Sequence, residues 1–126
     1  MKTKVLLDTN FIMSPGKFKV DIYSEIRRIL DAPYELYVLD KSLAELDAII
    51  SRQKGREKAA ARLAKAILKA KKPKTLKTTS KEYVDSIILG LRGYIVATND
   101  KELRLNLKKN GVRTITLRQR NHLILD

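Results

Sequence analysis

Two spacings of apolar residues alternate along the chain. Short apolar runs typical of buried strands occupy residues 5–7, 36–39, 94–97 and 112–117. Elsewhere apolar residues recur every three or four positions, which predicts helices at residues 20–30, from Asp40 onward, and at 56–71, 80–91 and 100–109. Residues 75–78 are a candidate edge strand, and Ser14-Pro15-Gly16 predicts a loop.

Regular alternation of strand and helix is typical of parallel sheets, because parallel strands need a crossover connection. The pattern therefore predicts an α/β protein, a three-layer α/β/α sandwich. Its central parallel sheet should have four strands, or five with the edge strand. A length of 126 residues favours a single domain over residues 1–126.

The charge of the chain is strongly unbalanced. Lys and Arg total 27 against 14 Asp and Glu, a formal net charge of +13. Such an excess favours a polyanionic partner, above all a nucleic acid. A Lys-rich surface of the hyperthermophile kind is the alternative, although Glu would then be expected to rise with Lys.

The basic residues concentrate in the segment 52–81, where Glu57 is the one acid. In its helix at 56–71, the predicted inward stripe is Ala60, Leu63, Ala64, Ile67 and Leu68, with Lys58, Arg62, Lys65 and Lys69 facing out. The segment lies between two helices that carry candidate site acids. We therefore expect it to border the site, while a merely solvated face remains the alternative.

Cysteine is absent, which excludes a disulfide scaffold, a thiol nucleophile and a Cys-ligated zinc site. Only three apolar residues precede Asp8 after the polar start of the chain. That run is too short for a signal peptide or a membrane span. These features predict a cytoplasmic protein that makes no membrane contact.

Four acids occupy chemically suggestive positions. Asp8 ends the first strand, Glu45 follows the second strand on a helix, Asp85 lies on the inner side of the helix at 80–91, and Asp100 follows another strand. The carboxyl ends of parallel strands form one edge of a sheet, where ligands bind. We expect the four carboxylates to meet there.

Each acid also has a structural interpretation. Ser42 and Glu45 fit a capping box, and Asp100 fits a helix cap. Asp85 could pair with Lys81 one turn away. These interpretations stay open, but together they would require unrelated caps and ion pairs to converge on one edge of a sheet.

A cluster of carboxylates without His or Cys selects Mg²⁺ or Mn²⁺ over zinc. Beside a basic surface, such a cluster predicts hydrolysis of a phosphodiester. Asp8, Glu45, Asp85 and Asp100 are accordingly the candidate metal ligands and catalytic residues. His122, the one histidine, is expected to be a surface or RNA-contact residue instead of a catalytic base.

Four segments, in this order and spacing, resemble the motifs of PIN-domain ribonucleases: residues 6–12, 42–46, 84–89 and 97–103. The resemblance covers nearly the whole chain. It implies a sandwich with the first strand central, and a pocket in which one or two Mg²⁺ or Mn²⁺ ions support cleavage of single-stranded RNA. By position, Asp8, Glu45, Asp85 and Asp100 match the metal-binding acids, and Thr98 and Asn10 match supporting polar residues.

Residues 55–63 and 117–120 look closer to an archaeal branch related to the eukaryotic small-subunit ribosomal RNA processing nucleases. This similarity implies pre-rRNA as a partner, and by resemblance a homodimer. A VapC-type toxin ribonuclease and an RNA-binding PIN module that does not cleave are the alternatives. The predicted RNA contacts are Arg56, Lys58, Arg62, Lys65, Lys69, Arg118 and Arg120.

Overall fold

The computed structural model describes residues 2–78 and 83–126, with the side chain of Asp85 also outside the description. Within these ranges the strands are β1 (Thr3–Leu7), β2 (Tyr34–Leu39), β3 (Lys74–Leu76), β4 (Ile95–Ala97), β5 (Thr114–Arg118) and β6 (His122–Leu125). The helices are α1 (Thr9–Ile12), α2 (Ser14–Phe18), α3 (Ile22–Ile29), α4 (Asp40–Arg52), α5 (Gly55–Lys71), α6 (Val84–Gly90) and α7 (Lys101–Lys109). Within the described part, none of these helices has the length and apolar character needed to cross a bilayer.

The strands form one sheet in the order β3-β2-β1-β4-β5-β6. All neighbouring pairs are parallel except β5 with β6. Strand β1 lies inside the sheet, with Leu6 paired to Tyr37 of β2 and to Val96 of β4. The predicted α/β sandwich is therefore confirmed, with a sheet that is parallel except for the added strand β6, and β1 is flanked by strands on both sides.

Helices cover both faces of the sheet. Both sides of β1 are therefore buried, which is why its sequence is a continuous apolar run. Val5 and Leu7 belong to one buried cluster, whereas Leu6 belongs to a second. Successive side chains of a strand point to opposite faces, and this alternation divides the core into two layers around the sheet. All three side chains are fully buried.

Strand β6 is an addition to the four or five predicted strands. It joins β5 through a tight turn in which Gln119 and Arg120 have φ values of 54° and 60°. Turns with two such angles usually carry Asn-Gly, so Gln119-Arg120 carries no hairpin signal. Long-range bonds hold β6 in place: Arg28 donates to the Leu123 carbonyl, and the Leu123 N–H donates to Glu25, both at 3.0 Å.

Other bounds shift by a few residues. The predicted loop at Ser14-Pro15-Gly16 is the start of α2, since Pro is well suited to the first turn of a helix. The edge strand occupies Lys74–Leu76 instead of 75–78. The described part of the helix predicted at 80–91 is Val84–Gly90, and Lys81 lies outside the described residues. Leu63, predicted to face inward, is 42% exposed, and Ala61 is buried instead.

Helix α2 packs against α5 at Gly16. A Cβ atom built on Gly16 would lie 2.6 Å from the Cα atom of Ala60 and 2.9 Å from its Cβ atom. Those distances are too short for any side chain, and the obstructing atoms include backbone. The close approach fixes α5 beside the segment that follows the first strand.

We predict that Gly16→Ala lowers the free energy of unfolding by about 1–3 kcal/mol, because the added methyl group must push α2 away from α5. Gly90→Ala is the matched control, since nothing lies within 4 Å of a Cβ atom there. The control should leave stability unchanged or raise it by up to about 1 kcal/mol. Urea denaturation measures both, and equal stabilities would contradict the tight contact.

Candidate active site

Asp8 lies at the end of β1 and is 4% exposed. Its backbone N–H donates to the Ala97 carbonyl of β4 at 2.9 Å, so the chain is still tied to the sheet at this residue. Its side chain then caps α1, with Oδ1 accepting the Thr9 N–H at 2.9 Å. Asp is well suited to a helix cap because its oxygen satisfies a free N–H of the first turn. The buried position of this carboxylate follows directly from the strand-to-helix turn.

The second carboxylate oxygen of Asp8 is bound by Thr98. The fully buried Thr98 hydroxyl donates to Asp8 Oδ2 at 2.8 Å and accepts the Asp100 N–H at 3.1 Å. Asp100 in turn caps α7, since its Oδ1 accepts the Leu103 N–H at 3.1 Å. The cap interpretation of Asp100 is therefore confirmed. The Thr98 hydroxyl also ties the backbone of Asp100 to Asp8.

Glu45 reaches this group from α4. The Thr9 hydroxyl donates to Glu45 Oε1 at 2.6 Å. The capping-box interpretation of Glu45 is wrong, because α4 begins at Asp40 and its N-cap is Leu39. Ser42 therefore lies inside the helix, and its buried hydroxyl has no hydrogen-bond partner within the described residues.

Three of the four predicted acids are thus joined into one hydrogen-bonded chain. It runs from Glu45 through Thr9 to Asp8, and from Asp8 through Thr98 to the backbone of Asp100. We call these residues the acid chain. Asp85 belongs to α6 by its backbone, and its side chain lies outside the described residues.

The acids of the chain are linked through threonines and do not meet at a point. Among the described residues, no three Asp, Glu, His or Cys side chains are grouped closely enough to hold a metal ion. The candidate ligand atoms are nevertheless carboxylate oxygens at one edge of the sheet, and Mg²⁺ and Mn²⁺ prefer oxygen ligands. The donor types fit such an ion, and a site of three acids would require Asp85 or a movement of the described acids.

A cavity of about 270 Å³ opens beside the acid chain, lined by Asn10, Lys17, Phe18, Asn99 and Asp100. Asn10, predicted to support the site, lies in its wall and is exposed. Asn99 donates from Nδ2 to the buried Ser14 hydroxyl at 2.8 Å, which fixes α2 against the loop after β4.

Thr9, Ser14 and Asn99 have roles in the site that the sequence pattern did not predict. Thr9 and Asn99 stand next to Asp8 and Asp100 in the segments singled out above. Their position beside the candidate acids could have marked them as site residues. Their hydrogen-bond partners could not be predicted, because Glu45 is 36 residues from Thr9 and Ser14 is 85 residues from Asn99.

Two groups of the predicted RNA contacts lie close to this cavity. In the first turn of α5, Arg56 donates to the Lys17 carbonyl at 3.1 Å, and Lys17 pairs with Glu57 at 3.2 Å. Arg118 ends β5 at the same edge of the sheet as Asp8, and the Arg120 guanidinium lies 5.3 Å from the centre of the Phe18 ring. Arg56 and Arg120 therefore contact residues that line the cavity, and Arg118 lies at the same edge of the sheet.

The expectation that the basic segment 52–81 borders the site is wrong for the end of α5 and the start of β3. Lys71 and Lys72 at the end of α5 line a different cavity with Lys2, Tyr34 and Glu35, where strands β1 and β2 begin. Helix α5 therefore carries its charges from one edge of the sheet to the other.

The other predicted contacts have mixed surroundings. Arg62, Lys65 and Lys69 are exposed on α5 and Lys58 is half-buried, and Lys65 forms an ion pair with Asp47 of α4. His122 begins β6, and its Nδ1 atom lies 2.6 Å from Oδ1 of Asn121. None of these contacts touches the acid chain.

A family model, a curated relative and a solved structure all match this chain. A family described as PIN like domain matches residues 5–120. Ribonuclease VapC4 of Methanocaldococcus jannaschii is 34% identical, over 94% of this chain and 93% of the relative. The solved structure of the PIN domain endonuclease Utp24 superposes with a TM-score of 0.79 at 27% identity, covering 98% of this chain and 90% of that one.

The fold and the acid chain thus define a PIN-type α/β domain. The chain belongs to the PIN-like domain family. The resemblance drawn from the four sequence segments is confirmed.

The Thr98 hydroxyl links two of the acids, and its removal tests that link. Thr98→Val should lower the free energy of unfolding by about 1–3 kcal/mol, because Asp8 Oδ2 and the Asp100 N–H both lose a buried partner. Thr98→Ser keeps the hydroxyl and should recover most of the loss. Denaturant unfolding measures the three proteins, and equal losses for Val and Ser would mean that packing alone matters at this position.

Proposed function

We propose that this protein is an endoribonuclease that hydrolyses single-stranded RNA at the carboxyl edge of its sheet with the help of Mg²⁺ or Mn²⁺. The observation that carries the proposal is the acid chain, in which Asp8, Glu45 and Asp100 are linked beside a cavity that Arg56 and Arg120 flank. Membership of the PIN-like family and 34% identity to a protein named Ribonuclease VapC4 support it. Residues 1–126 would act as a single nuclease domain.

The chain's own residues prepare the site by fixing carboxylates. Asp8 cannot turn, because one oxygen is held by the Thr9 N–H and the other by the Thr98 hydroxyl. Glu45 accepts the Thr9 hydroxyl through Oε1, and Asp100 caps α7 through Oδ1. Neither of these two bonds involves Oε2 of Glu45 or Oδ2 of Asp100. Such preorganisation is what positions reacting groups in active sites.

Asp8, Glu45 and Asp100, with Asp85, are the residues that would hold the metal. A bound Mg²⁺ or Mn²⁺ supplies an activated water and neutralises charge that develops on the phosphate. The proposal of one or two ions follows the family resemblance.

The RNA strand would lie over the cavity and the first turn of α5. Arg56, Lys58 and Arg62 on one side, and Arg118 and Arg120 on the other, would bind phosphates. Lys65 and Lys69 remain predicted contacts, with the ion pair to Asp47 making Lys65 a weaker one. Affinity should therefore fall steeply as the salt concentration rises.

The turn that carries Arg120 supports its role in binding. Gln119 and Arg120 both adopt left-handed backbone angles, which cost about 1–2 kcal/mol for each residue with a side chain. Strain of this kind concentrates at functional sites. In this conformation the Arg120 guanidinium covers the Phe18 ring at the cavity.

Pre-rRNA is the proposed substrate, on the resemblance of residues 55–63 and 117–120 to the ribosomal RNA processing branch. A toxin ribonuclease is the second candidate, and the identity to Ribonuclease VapC4 favours it. A cytoplasmic location and a homodimer remain predictions. RNA binding without cleavage would point to the third reading, a binding module.

Asp8→Asn tests the reaction directly. An amide cannot offer the anionic oxygen that a hard cation requires, and losing even a supporting partner of a metal ligand costs about 10–100-fold. We expect cleavage of a fluorescent single-stranded RNA in Mn²⁺ to fall on the order of 100-fold or more, and EDTA to abolish it in the parent.

Asp31→Asn is the matched control, because it makes the same charge change at an exposed acid in the loop before β2. It should cleave like the parent. Undiminished cleavage by a nuclease-free Asp8→Asn preparation would refute the catalytic role of Asp8.

A further inference from the structure

The amino edge of the sheet, opposite the acid chain, is also strongly basic. Two cavities of about 470 and 580 Å³ open at this edge and share Lys2 in their linings. The exposed cations that line them are Lys2, Lys4, Lys71, Lys72, Lys74, Arg92 and Arg113. We call this set the amino-edge patch.

The linings of these two cavities contain one acid, Glu35. It is already matched, since Lys74 pairs with Glu35 and holds the pKa of that carboxyl below its usual value. Within the described residues, Lys2, Lys72 and Arg113 take part in no ion pair. The patch therefore keeps an uncompensated positive charge.

Several members of the patch are held in place. The Lys4 ammonium lies 5.9 Å from the centre of the Tyr37 ring and 5.5 Å from that of Tyr94. The two rings meet edge to face with centres 5.3 Å apart. Arg92 donates to the carbonyls of Leu89 and Leu91 at 2.9 and 2.8 Å. These contacts orient positive groups without neutralising them.

The proposed reaction does not use this patch. Strand β1 has five residues, so its two ends lie about 17 Å apart at 3.3 Å per residue. Screening at physiological salt acts over about 8 Å, so cations at one edge contribute little to a phosphate at the other. The accumulation of cations at the amino edge therefore indicates a binding partner for this edge that is separate from the phosphate at the active site.

We propose that the amino-edge patch is a second binding surface for the phosphate backbone of RNA, which anchors a folded or long RNA while the carboxyl edge receives the strand to be cut. The inference rests on the proposed function, which supplies RNA as the substrate. From β3 to β5 the patch crosses four strand spacings, about 19 Å. That length matches a run of about six phosphates at the 3.4 Å helical spacing.

The composition of the patch favours RNA over a protein partner. Stable protein interfaces have an apolar or aromatic centre, and Lys is depleted in them. The exposed large apolar side chains among the described residues are Leu63, Tyr83 and Leu105, and none lines the two cavities. Tyr34, Tyr94 and Ile95 do line them but are half-buried. A row of flexible Lys and Arg suits a sequence-independent backbone contact.

Two variants with equal loss of charge test the proposal. The amino-edge variant is Lys2→Gln, Lys72→Gln, Arg113→Gln, and the matched carboxyl-edge variant is Arg56→Gln, Lys58→Gln, Arg62→Gln. Fluorescence anisotropy in EDTA measures binding without cleavage. The probes are a six-nucleotide single strand, about 20 Å long at helical spacing, and an RNA hairpin with a single-stranded tail.

We expect the amino-edge variant to bind the hairpin about tenfold more weakly, because the hairpin and its tail engage both edges at once. It should bind the six-nucleotide strand at most about twofold more weakly, because the carboxyl edge still offers that short strand a site. Its slope of log affinity against log salt on the hairpin should fall by about two to three, at 0.7–0.9 per lost phosphate contact. The carboxyl-edge variant should weaken both probes. Melting curves check folding, and Lys72→Gln and Arg113→Gln alone, with smaller effects of the same sign, replace the triple variant if it is unstable.

Unchanged hairpin binding by the amino-edge variant would overturn the proposal. So would equal weakening of both probes by both variants, which indicates a general effect of net charge. Loss of binding to a polyglutamate peptide with unchanged hairpin affinity would assign the surface to an acidic protein instead. Failure of the parent to cleave RNA, with selective loss of hairpin binding in the amino-edge variant, would refute the nuclease proposal and support the anchor surface.

Discussion

Burial of the Asp8 carboxylate is the constraint on which the rest of the site depends. A charged group with 4% exposure costs several kcal/mol unless its oxygens are bound. One oxygen is satisfied by the helix that starts at Thr9, and the other by Thr98 at the end of β4. Satisfying this one side chain therefore fixes the chain direction after β1, the approach of β4 and the start of α7. The candidate active site and the centre of the fold are built from the same hydrogen bonds.

The parallel sheet gives the molecule two unlike edges. At the carboxyl edge, strand ends turn into helices whose caps collect acids, as at Asp8 and Asp100. At the amino edge, the chain enters the strands through Lys2, Lys74 and Arg113. Helix α5 connects the two regions, with Arg56 beside the acid site and Lys71 at the opposite cavity. A net charge of +13 is thus arranged around a small acidic centre, which suits a polyanionic substrate.

Local pattern sufficed for the parts of the fold that depend on local physics. Apolar runs located the interior strands, and strand ends located Asp8 and Asp100. Strand β6 could not be predicted, because its turn lacks Asn-Gly and its attachment to Glu25 and Arg28 spans more than 90 residues. The contact from Thr9 to Glu45 likewise depends on packing of α4 over α1. Helical periodicity identified the exposed face of α5, but it could not show that the helix runs from one edge of the sheet to the other.

We propose that Asp8, with its hydrogen-bonded neighbours, forms a metal-dependent centre for RNA cleavage. Anomalous diffraction from crystals soaked in Mn²⁺ tests this proposal. We expect a peak within about 2.5 Å of an Asp8 carboxylate oxygen, shared with at least one of Glu45, Asp85 and Asp100, and absent from Asp8→Asn crystals. A difference map with Mn²⁺ bound elsewhere and no peak at Asp8, or an equal peak in the Asp8→Asn crystals, would contradict it.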